Sequence, residues 1–223
     1  MPAKKPKPKT KILIVDDHPM MRQGLAQLIN NEPDLVVMGE AETAEQALSV
    51  IRQSAPDLVV ADISLTGKSG LELIKDVHVL QPGLPVLAIS MHDESLYAER
   101  VLRAGGRGYI MKQEGGKQIM HAIRHILSGQ IYVSPKMSGK ILEIFSGRRA
   151  QSASSPIEQL TDREFEVFQL IGQGKGTRQI AEQLHLSVKT VEVHRQHIKE
   201  KLKLSDAPSL ARYAVQWVES QGA

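Results

Sequence analysis

The sequence predicts an α/β domain, doubly wound around a five-stranded parallel sheet, followed by a small all-α domain of four helices. Three observations carry this. Five short apolar runs alternate with helix-like stretches over residues 11–132. Aspartates end two of those runs, Lys11-Ile12-Leu13-Ile14-Val15-Asp16-Asp17 and Asp57-Leu58-Val59-Val60-Ala61-Asp62. From residue 157 the strand-like runs stop and helical patterning takes over.

The strand-like runs are 11–15, 35–39, 57–61, 85–90 and 108–111. Their length and β-branched content suit strands buried on both faces. Helix-like stretches lie between and after them, at about 19–31, 43–53, 70–80, 94–104 and 115–128. Right-handed crossovers then wind the helices onto both faces of one sheet. Residues 135–145 could form one more short helix, and Ser146 to Pro156 reads as a flexible linker without large apolar residues. Thr161-Asp162-Arg163-Glu164 has capping-box spacing and opens a helix that Gly172 and Gly174 end. Thr177 to Leu184 is a short helix, His185-Leu186-Ser187 a turn, Val188 to Leu202 a longer helix and Asp206 to Glu219 the last. Ile180, Ala181, Leu184, Val188, Val191 and Ile198 are expected to face inward. A short helix, a three-residue turn and a longer helix is helix-turn-helix spacing. The expected division is a disordered basic tail over 1–10, the α/β domain over 11–132, a linker with a short helix over 133–156, and the helical domain over 157–223.

Composition bounds the function. The chain has 223 residues, 41% of them hydrophobic, no cysteine, and no apolar run near the roughly 18 residues a membrane span requires. The Lys/Pro-rich start has no apolar segment of a secretory signal after it. Disulfides and thiolate metal sites are ruled out, and a cytoplasmic protein is expected. Charge is uneven: the tail carries +4, residues 11–132 carry −4, residues 133–156 carry +3, and residues 157–223 balance. An acidic front and basic punctuation suggest a regulatory half and a nucleic-acid half.

Ligand sites in open α/β sheets lie outside the carboxyl ends of the strands. Asp16, Asp17 and Asp62 should therefore meet at one sheet edge. Crowded carboxylates repel unless a hard cation sits among them, and Mg2+ suits such an oxygen site. Asp17 is the better direct ligand, with Asp16 supporting it through water. Asp62 can bind metal and still offer an oxygen to attack a phosphoryl group. Ser90 and Lys112 follow two further strands and supply a hydroxyl and an ammonium to the same edge.

On these residues, 11–128 resembles the receiver domain of two-component response regulators, a flavodoxin-like fold. Tyr109 and the run Arg103-Ala104-Gly105-Gly106-Arg107-Gly108 extend the match. The resemblance implies phosphotransfer from a sensor histidine kinase to Asp62, Mg2+ held by Asp17, Asp62 and the backbone carbonyl of Ser64, and Ser90 with Tyr109 as a switch pair. Thr66 stands where the family usually has proline, and Lys68 where an apolar residue is common. Losing the proline is expected to loosen that loop.

Gly172-Gln173-Gly174-Lys175-Gly176-Thr177-Arg178-Gln179-Ile180-Ala181 and Leu186-Ser187-Val188-Lys189-Thr190-Val191-Glu192-Val193-His194 resemble the LuxR-type helix-turn-helix. With the receiver, nearly the whole chain resembles the NarL/FixJ subfamily. Gly176 departs from a position usually Ser or Asn, which weakens an expected helix cap. Residues 174–203 carry seven basic residues against three acids. The expected contacts to double-stranded DNA are Arg178, Lys189, Thr190, Glu192, Val193, Arg195, Gln196 and Lys199. Glu192, Val193 and Gln196 are the candidate base readers. The resemblance further implies a homodimer on activation, with the last helix at its interface, and RNA polymerase as a partner.

Two alternatives stand beside this reading. One is an aspartyl-nucleophile phosphohydrolase, which needs an Asp-x-Asp arrangement and a cap segment, whereas Asp16 and Asp17 are adjacent and no cap is evident. The other is a DNA-binding module whose receiver is a phosphorylation-independent dimerisation scaffold. His18, His92, His121 and His125 have no clear metal spacing and read as structural or surface residues.

Overall fold

The computed structural model describes residues 8–139 and 156–221, and the chain divides into two compact units, Met1–Ser146 and Gly147–Ala223. The expected tail falls largely outside the described residues, as does residues 140–155 of the expected linker helix and linker. Residues 135–139 are helical, as anticipated for the start of that helix.

In the first unit, β1 (Thr10–Val15), β2 (Leu35–Ala41), β3 (Leu58–Asp62), β4 (Val86–Ser90) and β5 (Gly108–Met111) form one parallel sheet in the order β2-β1-β3-β4-β5. Between them run α1 (Pro19–Asn30), α2 (Ala44–Ser54), α3 (Gly70–Leu80) and α4 (Glu94–Arg103), with α5 (Gly116–Leu127) after β5. Strand side chains alternate between two buried faces. Ile12, Ile14, Leu58, Val60, Leu87 and Ile89 join Leu25 and Ile29 of α1 and Ile119, Ile123 and Ile126 of α5 in one cluster. Leu13, Val15, Val59 and Ala61 are buried too, as are the inward residues of α2, α3 and α4. Each large apolar side chain so buried contributes about 1.5–3 kcal/mol before entropy is counted.

The five strands begin and end within two residues of the expected runs. Thr10 belongs to β1 rather than to the basic tail, because its N–H reaches Asp34 O at 2.9 Å and it pairs with Leu35. A single 3-10 turn, Lys112–Glu114, follows β5 directly. Past α5 the chain returns to the outer edge of β5, where Tyr109 N–H donates to Tyr132 O at 2.9 Å and Tyr132 N–H to Arg107 O at 3.0 Å.

The second unit holds α6 (Asp162–Gly172), α7 (Thr177–Gln183), α8 (Val188–Lys201) and α9 (Ala207–Gln221), preceded by a 3-10 turn, Pro156–Gln159. The capping box forms: Glu164 N–H donates to Thr161 Oγ1 at 3.4 Å and Thr161 N–H to Glu164 Oε2 at 2.8 Å. Phe165 and Phe168 meet Trp217 edge-on at 5.5 and 5.6 Å between ring centroids, tying α6 to α9. The two helices approach so closely that a Cβ on Gly172 would stand 2.5 Å from Ala214 O. At Gly176 only half of a capping box is made, with Gln179 Oε1 accepting its N–H at 2.9 Å.

Val188 departs from its expected inward position and is 41% exposed, whereas Val191 and Ile198 are fully buried. At about 100° per residue, Val188 lies about 60–80° from the buried pair, and it begins the first turn, before the helix is fully packed.

Lys201 Nζ lies 2.6 Å from Glu164 Oε2, linking the end of α8 to the start of α6. Burial works to raise the Glu164 pKa, but the Lys201 and Thr161 donors outweigh it and hold the carboxyl below its usual value. A depressed carboxylate contributes stability that is present above its unfolded pKa and lost as pH falls through the folded value. Glu164→Ala is therefore expected to destabilise this unit by about 1–2 kcal/mol at neutral pH. The loss should shrink in acid below about pH 4, where wild type loses the same contribution. Trp217 fluorescence during urea unfolding at several pH values reads this directly.

Candidate phosphoacceptor site and nucleic-acid interface

Asp16 and Asp17 follow β1, and Asp62 ends the neighbouring β3, so the carboxylates converge at the sheet's carboxyl edge. Asp16 is 0% exposed and Asp62 1%. Lys112, just after β5, reaches across from the other side: its Nζ lies 2.8 Å from Asp16 Oδ2 and 2.8 Å from Asp62 Oδ2. Burial raises the Asp62 pKa, as does the charge of Asp16, while Lys112 works in the opposite direction. The Lys112 pKa is raised although burial, its largest influence, works to lower it, because two carboxylates flank it.

Local hydrogen bonds hold the acids in place. His18 N–H donates to Asp16 Oδ1 at 2.9 Å, and Ser64 N–H to Asp62 Oδ1 at 3.2 Å. Arg22 Nη1 donates to the Asp16 carbonyl at 2.6 Å. Behind Asp62, α3 starts so close to β3 that a Cβ on Gly70 would fall 2.0 Å from Asp62 O. Only glycine allows this approach. Ser69 then caps α3 in a reciprocal capping box with Glu72.

The loop between β3 and α3 is tied rather than loosened. Thr66 N–H donates to Asp17 Oδ2 at 3.0 Å, and its hydroxyl donates to the same oxygen at 2.6 Å. Proline offers neither donor. Lys68 pairs with Asp76 of α3. These contacts overturn the expectation of a loose loop, because two hydrogen bonds to a carboxylate replace the stiffness of a ring.

Ser90 ends β4 and is fully buried, and its Oγ accepts the His92 N–H at 3.2 Å. Tyr109 is also fully buried, with its hydroxyl donating to the His92 carbonyl at 2.7 Å. Burial pushes the Tyr109 phenol well up from its usual range, against the effect of the Ser90 hydroxyl. The expected switch pair thus occupies one buried spot, with the ring already inside.

Two histidines adjoin the acidic edge, His18 at the surface and His92 packed within it. His18 Nδ1 lies 2.8 Å from Asp17 Oδ1, and Asp16, Asp17, His18 and Asp62 form a group whose ligand atoms all lie within 4.8 Å of one another. Its position directly after the aspartate pair was the available signal. His92 Nε2 meets Ser64 Oγ at 3.1 Å, and its ring stacks on Tyr97. His121 and His125 instead meet the Tyr132 ring edge-on.

The acidic group is compatible with Mg2+. Three of its four donors are carboxylate oxygens, the hard set this ion favours, and the fourth is the His18 imidazole nitrogen. Asp17 Oδ1 is buried and takes no hydrogen bond beyond its approach to His18 Nδ1, so one oxygen of the expected direct ligand faces the group. Asp16, by contrast, is engaged at both oxygens, which suits a supporting role.

In the second unit, Ser187 caps α8, its Oγ accepting Thr190 N–H at 3.0 Å and meeting the Thr190 hydroxyl at 2.7 Å. Lys189, Glu192, Val193 and Gln196 are exposed along α8, and Arg178 is exposed on α7. Thr190, Arg195 and Lys199 are half-buried at the margins of that face. On the helical wheel Lys189, Val193, Gln196 and Glu200 fall within about 60° of one another, opposite the buried stripe. Gln196 Nε2 donates to Glu200 Oε1 at 2.7 Å. Among the described residues no helix is long and apolar enough to cross a membrane.

Comparison with known proteins adds to this geometry. Residues 12–124 match the family described as response regulator receiver domain, and residues 158–214 match bacterial regulatory proteins, luxR family. The chain is 36% identical over 209 residues to the oxygen regulatory protein NreC of Staphylococcus carnosus, covering 92% of this chain and 96% of that one. NreC of Staphylococcus aureus MRSA252 is 35% identical with the same coverage, 92% and 96%. A LuxR-family two-component response regulator from Aurantimonas sp. SI85-9A1 superposes with TM-score 0.57 at 33% identity, over 62% of this chain and 99% of that one. The RcsB response regulator of Salmonella typhimurium gives TM-score 0.62 at 23% identity, over 94% and 98% respectively, a likeness of fold.

Proposed function

The chain belongs to the two-component response regulators that join a receiver to a LuxR-type DNA-binding domain, and on that premise we propose that Asp62 accepts a phosphoryl group and thereby controls DNA binding by a homodimer. The family is one of transcription regulators, not of enzymes. The observation that carries the proposal is Lys112 Nζ held 2.8 Å from both Asp16 and Asp62, a cation set between the acceptor and its acidic neighbour.

The donor is a phosphohistidine of a sensor histidine kinase. An Asp62 oxygen attacks phosphorus, the bond from phosphorus to the imidazole nitrogen breaks, and the imidazole retains that electron pair. Asp17, Asp62 and the Ser64 carbonyl, with Asp16 in support, would hold Mg2+, which when bound would supply charge neutralisation to phosphoryl oxygens. Lys112 exchanges Asp62 Oδ2 for a phosphoryl oxygen, a contact available only in the phosphorylated state, as a population shift requires. The Ser90 hydroxyl turns to the phosphoryl group and leaves the His92 N–H. Tyr109, sharing His92 through its carbonyl, passes that change to the surface formed by α4, β5 and α5.

The outcome is release or dimerisation of the output unit. Two copies reading half-sites through α8 imply an inverted repeat, with α9 at the interface between copies. RNA polymerase is the expected partner downstream, and the reading makes this a cytoplasmic protein.

Titration on specific and scrambled duplexes, with and without acetyl phosphate and Mg2+, tests the proposal. Phosphorylation should tighten binding to the specific duplex, and equal affinity in both states would refute it. In the same assay, Gln196→Ala should cost about 1–3 kcal/mol at one base position and relax preference there. Lys199→Ala should weaken all sequences alike and shallow the salt dependence by about one unit of slope.

A further inference from the structure

We propose that Thr66 is a positioning residue for a divalent cation at Asp17: its N–H and hydroxyl hold Asp17 Oδ2 and so present Oδ1 to the ion. This rests on the reading of the acidic group as a Mg2+ site. Both donors converge on one oxygen, at 3.0 and 2.6 Å, from a loop 49 residues further along the chain. The other oxygen, Oδ1, is buried inside the acidic group, where its neighbour is His18 Nδ1 at 2.8 Å and it accepts no other hydrogen bond. Asp17 supplies one of the four ligand atoms that lie within 4.8 Å of one another, together with Asp16, His18 and Asp62.

The physical reason is the division of labour within one carboxylate. A carboxylate has lone pairs on both oxygens and can serve two kinds of partner at once. Fixing Oδ2 with two donors removes the rotation that would otherwise let Asp17 swing toward solvent, where its side chain is 11% exposed. Ligating carboxylates are characteristically held this way by a neighbour, and losing such a neighbour typically weakens metal binding about 10–100-fold. Gly67 follows immediately with φ at +78°, a turn that accommodates the loop without strain on a side chain. A proline at position 66 would stiffen the loop but would leave Asp17 Oδ2 without either donor.

The test is calorimetric titration of MgCl2 into the full-length, EDTA-stripped protein without a phosphodonor, comparing wild type with Thr66→Val and Thr66→Ser. Thr66→Val keeps the volume and the N–H but removes the hydroxyl, and thermal unfolding in EDTA confirms that it folds. The expected result is a Kd for Mg2+ raised about 10-fold or more in Thr66→Val and close to wild type in Thr66→Ser. Unchanged affinity in Thr66→Val, against measurable binding by wild type, overturns the positioning role and leaves the Mg2+ reading intact. Equal losses in both variants also overturn it, since Thr66→Ser keeps the hydroxyl and should keep the affinity. Absence of Mg2+ binding by wild type overturns the reading and the inference together.

Discussion

Asp62→Ala is expected to abolish the hydroxylamine-sensitive phosphoryl label that wild type acquires from acetyl phosphate and Mg2+. The label should vanish because no other carboxylate at the sheet edge is equally placed. Asp16 shares the burial and the Lys112 contact of Asp62, but His18 holds its Oδ1 twice, through the N–H at 2.9 Å and Nδ1 at 3.2 Å, whereas Asp62 Oδ1 meets the Ser64 N–H at 3.2 Å. Asp17 is tied at Oδ2 by Thr66. Asp62 sits beside the cation that must meet the phosphoryl oxygens, at 2.8 Å. Phosphorylation-dependent DNA binding should disappear with the label. Intact-mass spectrometry after incubation, with a hydroxylamine control, checks it, and undiminished labelling would move the acceptor elsewhere.

The second large effect is expected from Lys112→Ala. Its ammonium is the shared partner of two buried carboxylates, so its removal leaves Asp16 and Asp62 facing one another without compensation. Breaking a buried pair from one side typically costs about 3–5 kcal/mol. The pH dependence has a definite sign. Burial already raises the Asp62 pKa, and losing Lys112 raises it further. Between its unfolded and folded pKa values the native state then binds the extra proton, so stability falls as pH rises. The variant should therefore be closer to wild type in mild acid than at pH 8. Urea unfolding followed by the receiver's tyrosines at several pH values measures this. In Mg2+ at equal phosphorylation, light scattering should show little dimerisation, since the contact that differs between states is gone. Normal dimerisation would refute the coupling role.

Much of this architecture is legible along the chain because its signals are local. A β-branched run closed by aspartate marks both the strand and the sheet edge at which its chemistry sits, as with Val15-Asp16 and Ala61-Asp62. Thr161 with Glu164, and Ser187 before Val188, announce helix starts through spacing alone. What escaped was set by distance. Thr66 reads as a missing proline until the fold brings Asp17 to it, and no periodicity encodes a hydrogen bond between two loops. His18 is the surface histidine its sequence suggests, and only the fold brings Asp62, from another strand, within 4.0 Å of it. Val188 matches the apolar spacing but sits at a helix start, where packing rather than pattern decides exposure. The return of Tyr132 to the edge of β5 likewise follows from where α5 ends, not from its own neighbours.

The hydrogen bond from Gln196 to Glu200 bears on how this protein would search a genome. In the proposed interface the reading amide is never left bare: over a mismatched base it can stay with Glu200, and only adenine offers two matching groups in exchange. A wrong base would then leave the Gln196 amide paired with Glu200, and the proposed interface would reject it only mildly. Discrimination at that position would then arise from what the correct base adds rather than from what a wrong base costs.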